Sequence, residues 1–156
     1  MSRRDQIQLS DEELAQLLET ERVAVVSSHG SRGWPHSMPL WFVVRAGELW
    51  IWTYAKSQKV RNLERDPRAT VLIETGEEYG ELRGAMIEAE AVLHRDPETV
   101  LGFAEELALR YGGGGDAELG EDARAALAVQ APKRVAIQFK PVRTATWDHR
   151  KLGGVY

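Results

Sequence analysis

The stretch Trp52-Thr-Tyr-Ala-Lys-Ser-Gln-Lys-Val-Arg-Asn-Leu-Glu-Arg-Asp-Pro67 decides how this chain is read. An aromatic, extended run ends in Thr53 and Tyr54. Ser57 then stands where a helix cap belongs, Val60 and Leu63 recur at helical spacing, and Asp66-Pro67 stops the helix. A helix start presents unbonded amides and a partial positive charge, which together suit an anion such as phosphate. Lys56 and Lys59 flank that end, and the hydroxyls of Thr53 and Ser57 add donors. A second reading stays open on these residues alone: Ser57 only caps the helix and the lysines are solvated.

Working outward toward the N-terminus, Glu48 to Thr53 reads as a strand entered through a turn at Ala46-Gly47. Trp34 to Val44 is one extended segment, and Arg22 to His29 is another, broken off by Gly30-Ser-Arg-Gly33. Before them, Ser10-Asp-Glu-Glu13 is a capping box with Leu9 and Leu14 at the staple positions, predicting a helix over 11–19. Toward the C-terminus, Ala69 to Glu74 and Gly84 to His94 are strands, the second alternating Ile87, Ala89, Ala91 and Leu93 with Glu88, Glu90 and Val92, a largely polar face. Asp96-Pro97 opens a helix that Gly112 to Gly115 ends as a hinge or loop tip. Glu121 to Ala131 is a short helix, and Arg134 to Trp147 a long closing strand in which Pro141 marks an edge or a bulge. About six strands with helices between them predict a mainly β fold, a closed antiparallel barrel with helices at its ends, in a single domain over 1–156.

Bulk properties narrow the function. The 156 residues include no cysteine, which removes thiol chemistry and fits a reducing compartment. The formal net charge is −4, against a general nucleic-acid binder. No apolar run approaches a membrane span, and the basic start leads into polar residues, not a secretory signal. A cytoplasmic protein is the expectation. The histidines His29, His36, His94 and His149 show no metal-ligand spacing, so no metal is expected.

The ordered set of an aromatic-Thr strand end, Ser57-x-Lys59 and a helix closed by Asp66-Pro67 resembles the pyridoxamine 5'-phosphate oxidase-like superfamily of FMN-binding split barrels. Lys59-x-Arg-Asn-Leu-x-x-Asp-Pro-Arg68, the Pro39-Leu-Trp41 strand and Thr146-Trp-Asp-His-Arg-Lys-Leu-Gly-Gly154 are similar to its branch dependent on the deazaflavin coenzyme F-420. The resemblance runs from Leu14 to Leu152 and implies a six-stranded Greek-key split barrel, dimeric, with cofactor sites at the interface. It implies that Thr53, Ser57 and Lys59 hold the cofactor phosphate, with Trp52, Lys56, Gln58, Arg61 and Asn62 beside them. His36, Ser37, Met38, Pro39, Leu40 and Trp41 would lie along the cofactor ring, and Trp147 would approach the cofactor of the partner subunit. Pyridoxamine phosphate oxidizing relatives resemble one another in a basic Arg-x-Val-Leu-Leu-Lys strand. Here the matching strand is Met-Pro-Leu-Trp-Phe-Val, with no Arg or Lys, which speaks against vitamin B6 oxidation.

F-420 carries an acidic tail beyond its phosphate. Lys56, Lys59, Arg61, Arg65 and Arg68 outnumber Glu64 and Asp66 in that segment, which favours F-420 over FMN. The expected activity is hydride transfer between F-420 and an apolar or conjugated small molecule, with His36, Tyr54 or solvent handling the proton. Two alternatives stay open: an FMN-dependent reductase or oxidase-like enzyme, and a non-catalytic deazaflavin carrier. Trp50 and Trp52 share a strand face and read as core or interface. Residues 76–84 read as a mobile rim or a plain hairpin loop.

Overall fold

The computed structural model describes residues 2–112 and 118–154. Seven antiparallel strands form one curled sheet in the order β2-β1-β5-β6-β7-β4-β3. They are β1 (Ala24–His29), β2 (Pro35–Leu40), β3 (Val43–Arg45), β4 (Glu48–Tyr54), β5 (Arg68–Thr75), β6 (Arg83–His94) and β7 (Arg134–Asp148). Consecutive strands β2 and β3 lie at opposite edges and do not pair, so the barrel is split between them and not closed as the strand pattern predicts. The helices are α1 (Arg3–Gln6), α2 (Asp11–Thr20), α3 (Gln58–Arg65), α4 (Pro97–Tyr111) and α5 (Glu121–Gln130).

The expected count of six strands becomes seven because Trp34 to Val44 is not continuous. The chain leaves β2 at Trp41-Phe42 and re-enters the sheet as β3 on the other edge. The Tyr111 hydroxyl makes the break affordable. It accepts from the Phe42 amide at 3.0 Å and contacts the Phe42 carbonyl at 2.9 Å and the Arg22 carbonyl at 2.8 Å. The amide of the fully buried Phe42 therefore has an acceptor, while the single hydroxyl proton is shared between the Phe42 and Arg22 carbonyls. The turn into β4 is the two-residue type expected between Arg45 and Glu48: Ala46 and Gly47 both have positive φ, 50° and 78°.

Alternation sorts each strand between two cores. Val26, Ile51, Val71, Ile73, Ile87, Val135, Ile137 and Phe139 fill the barrel with Leu17 and Leu18 of α2 and Val60 and Leu63 of α3. On the outside of β3, β4 and β7, α4 lays Val100, Phe103 and Leu107 on Val43, Trp50 and Ala136. Each fully buried aliphatic or Phe side chain contributes about 1.5–3 kcal/mol. The Ser10–Glu13 capping box is formed in both directions, and Leu9 and Leu14 pack on the barrel core.

Two further expectations resolve. Pro141 stands at a register shift opposite Glu88 and Ala89, just past the end of the β4 pairing, so it meets both a bulge and an unpaired edge. Of residues 76–84, 76–82 connect β5 to β6 through a 3₁₀ turn at Tyr79–Glu81, and Arg83 and Gly84 already pair in β6. His149 pins that connection: its amide bonds the Leu82 carbonyl at 2.9 Å, and its Nδ1 lies 2.9 Å from the Tyr79 carbonyl. Gly112 closes α4, whereas Gly113, Gly114 and Gly115 lie outside the described residues.

Candidate functional site

Strand β4 delivers Thr53 to the barrel side, buried, and the turn at Ala55-Lys56 swings the chain into α3. Ser57 has N-cap backbone angles, yet its hydroxyl makes no cap bond to the helix. Elsewhere Ser2, Ser10 and Asp96 do cap their helices. The Ser57 hydroxyl instead sits 3.5 Å from Thr53 Oγ1, and Lys59 Nζ donates to that same Thr53 oxygen at 3.0 Å. Lys59 is 8 % exposed, and among the described residues no carboxylate pairs with it. Burial alone pushes its ammonium below the usual lysine value. Two hydroxyls, a desolvated ammonium and an uncapped helix start thus converge, an arrangement suited to an anion.

The flanking residues divide. Gln58 opens α3, and its amide donates to Asn62 Oδ1 at 2.8 Å. Asn62 is fully buried and donates to Ser28 Oγ at 3.1 Å, so its side chain ties α3 to β1 and orients Gln58. Lys56 and Arg61 are exposed and have no ion pair among the described residues. Arg65 is spent on the His29 carbonyl and Asn62, and Arg68 on Asp66. Arg68 first, and His29 less, hold the Asp66 carboxyl well below the usual range. The basic surplus read along residues 56–68 therefore reduces to Lys56, Lys59 and Arg61.

Strand β2 is an edge, and the six residues expected along a ring do not share one environment. His36 and Gln58 line a small pocket of ≈ 200 Å³ under the Gly30–Trp34 turn, and His36 Nδ1 is buried without a partner. Ser37 bonds Ser27 side chain to side chain at 2.7 Å. Met38 is exposed. Pro39, Leu40 and Trp41 line a different cavity with Trp52, on the α4 side of β4. Trp41 stacks on Tyr111 with ring centroids 4.4 Å apart. Trp147 lies at the far end of β7 from Thr53, whose β7 partner is Val135. Its ring covers Gly84, where a Cβ would meet Trp147 at 2.5 Å and the Ile73 carbonyl at 2.6 Å. Within one chain Trp147 and Thr53 are therefore not brought together. Arg134 is marked by the sequence pattern only as the first residue of the closing strand. It faces Tyr54 across the β4–β7 pair and borders the Trp41–Trp52 cavity. Only that non-local pairing identifies it.

The split sheet, with a polar cluster where β4 meets α3, defines the class: a split barrel of the pyridoxamine 5'-phosphate oxidase-like type. The chain belongs to the pyridoxamine 5'-phosphate oxidase family, whose model matches residues 10–148. A conserved hypothetical protein, Rv2991, from Mycobacterium tuberculosis is 34% identical, with a TM-score of 0.89 over 100% of this chain and 95% of that one. An F-420 reductase is 21% identical, with a TM-score of 0.65 over 86% of this chain and 98% of that one. A FAD-binding protein from Mesorhizobium loti is 13% identical, with a TM-score of 0.66 over 89% and 94%. The last two share the fold. No curated protein matches the chain. Among the described residues, no helix is long and apolar enough to cross a membrane.

Proposed function

We propose that this protein is an oxidoreductase that binds coenzyme F-420 and works on an apolar or conjugated small molecule, as a cytoplasmic homodimer. One observation carries the reading: Lys59 is buried without a countercharge, on Thr53 and beside a Ser57 hydroxyl that makes no cap bond. A charge in that position is costly until an anion arrives. A cofactor phosphate fits the donor set, with Thr53, Ser57 and Lys59 holding it. Exposed Lys56 and Arg61 face solvent nearby and suit the acidic tail of F-420, for which FMN has no counterpart. The bound cofactor would supply the hydride, a species no side chain can carry. His36, with its unbonded Nδ1, is the ring nitrogen placed to hold a proton. Trp147 would belong to the partner subunit's site.

Titrating the cofactor-free protein with F-420 and with FMN, read by tryptophan fluorescence, tests the reading. Saturable quenching, tighter for F-420, is expected. The double variant Ser57→Ala, Lys59→Ala should weaken F-420 binding at least tenfold, since charge-assisted hydrogen bonds contribute about 1.5–3 kcal/mol each. Unchanged affinity removes the phosphate assignment. Tighter FMN binding moves the protein to the flavin reductases. Tight F-420 binding with no hydride transfer to a panel of acceptors makes it a deazaflavin carrier.

A further inference from the structure

We propose that the cavity between β2, β4 and α4 binds a planar conjugated carboxylate, with Arg134 holding its charged end. The cavity measures ≈ 440 Å³, within the roughly 300–1,000 Å³ range of small-molecule sites. Pro39, Leu40, Trp41, Trp52 and Leu107 give it apolar and aromatic walls. Arg134 is the single ionisable side chain on that lining.

The guanidinium is fixed in place before any ligand arrives. Its central carbon lies 3.6 Å from the Tyr54 ring centroid and 4.8 Å from that of Trp52. The stack follows from register: Arg134 on β7 pairs with Tyr54 on β4, and Trp52 is two residues back on the same face. Nη2 donates to Gln130 Oε1 at 3.2 Å, and Nε is buried with no acceptor. Among the described residues, no carboxylate pairs with Arg134. Other arginines are differently spent: Arg45 pairs with Glu106, Arg68 with Asp66 and Arg150 with Asp148, while Arg110 bonds the carbonyls of Leu18, Glu19 and Glu21.

Arginine keeps its charge at any working pH, and its fork matches a carboxylate in two parallel bonds. The aromatic walls set the remaining chemistry, because flat conjugated groups stack on Trp41 and Trp52 at little entropic cost. Trp52 and Thr53 face opposite sides of β4, so this cavity and the Lys59 cluster share no lining residue. Calling the ligand a substrate rests on the proposed F-420 function; its binding does not.

Calorimetric titration of the full chain with trans-cinnamate, and separately with uncharged cinnamamide, tests the pocket. Wild type should bind cinnamate at least tenfold more tightly than the amide. Arg134→Gln should bring the two within twofold of each other, and Trp41→Ala should weaken both. Arg134→Lys, keeping charge without the fork, should fall between, which separates a lost contact from a damaged fold. Equal cinnamate affinity in wild type and Arg134→Gln overturns the proposal, as does no cinnamate binding to wild type. F-420 is titrated into the same proteins. Retained F-420 affinity in Arg134→Gln is expected, and its parallel loss would assign Arg134 to the cofactor site and overturn the pocket. Failure of wild type to bind F-420, with cinnamate selectivity intact, would remove the proposed function alone.

Discussion

Lys59 shows how a site can oppose the fold that carries it. Burial holds its ammonium below the ordinary 10.5, so the folded chain binds that proton less tightly than the unfolded one. Below the folded pKa the penalty is present in full. Between the folded value and 10.5 the unfolded state holds more protons, so the stability of the ligand-free protein rises with pH there. Replacing a buried charge by an apolar side chain of similar length is often neutral or stabilising. Lys59→Met should therefore stabilise the ligand-free protein at neutral pH by about 1 kcal/mol, or roughly 2 to 4 °C in midpoint. It should also flatten the alkaline rise and abolish stabilisation by added F-420. Thermal unfolding across pH 7 to 10.5, with and without cofactor, reads all three effects; a large loss of ligand-free stability would mean that Lys59 is structural. This part of the site was legible in the sequence because Thr53, Ser57 and Lys59 lie within seven residues and one helix start gathers them. Arg134 was not, because its surroundings come from a strand 80 residues earlier.

Individual elements depend on a few polar ties that periodicity does not show. The extended pattern of residues 34–44 is real, but alternation does not indicate where a strand changes edges. That information resides in Tyr111, about 70 residues away, whose hydroxyl serves Phe42 and Arg22. Tyr111→Phe keeps the Trp41 stack and removes that hydroxyl, leaving the Phe42 amide buried without a partner. A loss of about 2 kcal/mol is expected in denaturant unfolding. Amide exchange should accelerate at residues 41–45 ahead of the barrel strands, and uniform acceleration would argue against a local role. At the other end, Asp148 is buried and accepts from the Arg150 side chain at 2.9 and 2.6 Å, with a third bond from the Arg150 amide. Arg150 holds that carboxyl below the ordinary 3.8, so its contribution is complete above that value and lost as pH falls through the folded pKa. Because Arg150 is half exposed, Asp148→Asn should cost only about 1 to 2 kcal/mol at pH 7. Its acid-unfolding curve should converge with that of wild type at low pH, and parallel curves would assign the acid limb elsewhere.

For the whole molecule, turn chemistry, caps and alternation were enough to read an antiparallel barrel, since antiparallel neighbours mostly follow chain order, but not its seventh strand or its split. What sequence pattern alone did not separate is the inner face of a strand from an outer face that is also apolar. On the outside of β1, β5 and β6 the register aligns Pro39, Val25, Leu72, Met86 and Ala145 into one row across five strands. The neighbouring row is Ser37, Ser27, Thr70, Glu88 and Arg143, the last two an ion pair at 3.7 Å. Val25, Leu72 and Met86 are only half buried, and α4 packs on β3, β4 and β7 instead. An apolar row edged by hydroxyls and a charge pair is the anatomy of an interface centre with a polar rim. A second copy meeting this face would account for it and would supply the Trp147 that one chain holds away from Thr53. Light scattering should give twice the 17.5 kDa chain mass for wild type. Leu72→Glu, placing a charge at the middle of the row, should give the single-chain mass with its far-ultraviolet spectrum unchanged, and should weaken F-420 binding along with the dimer. A Leu72→Glu protein that stays dimeric would move the interface to another face, and one that becomes monomeric yet binds F-420 as tightly as wild type would place the whole cofactor site within a single chain.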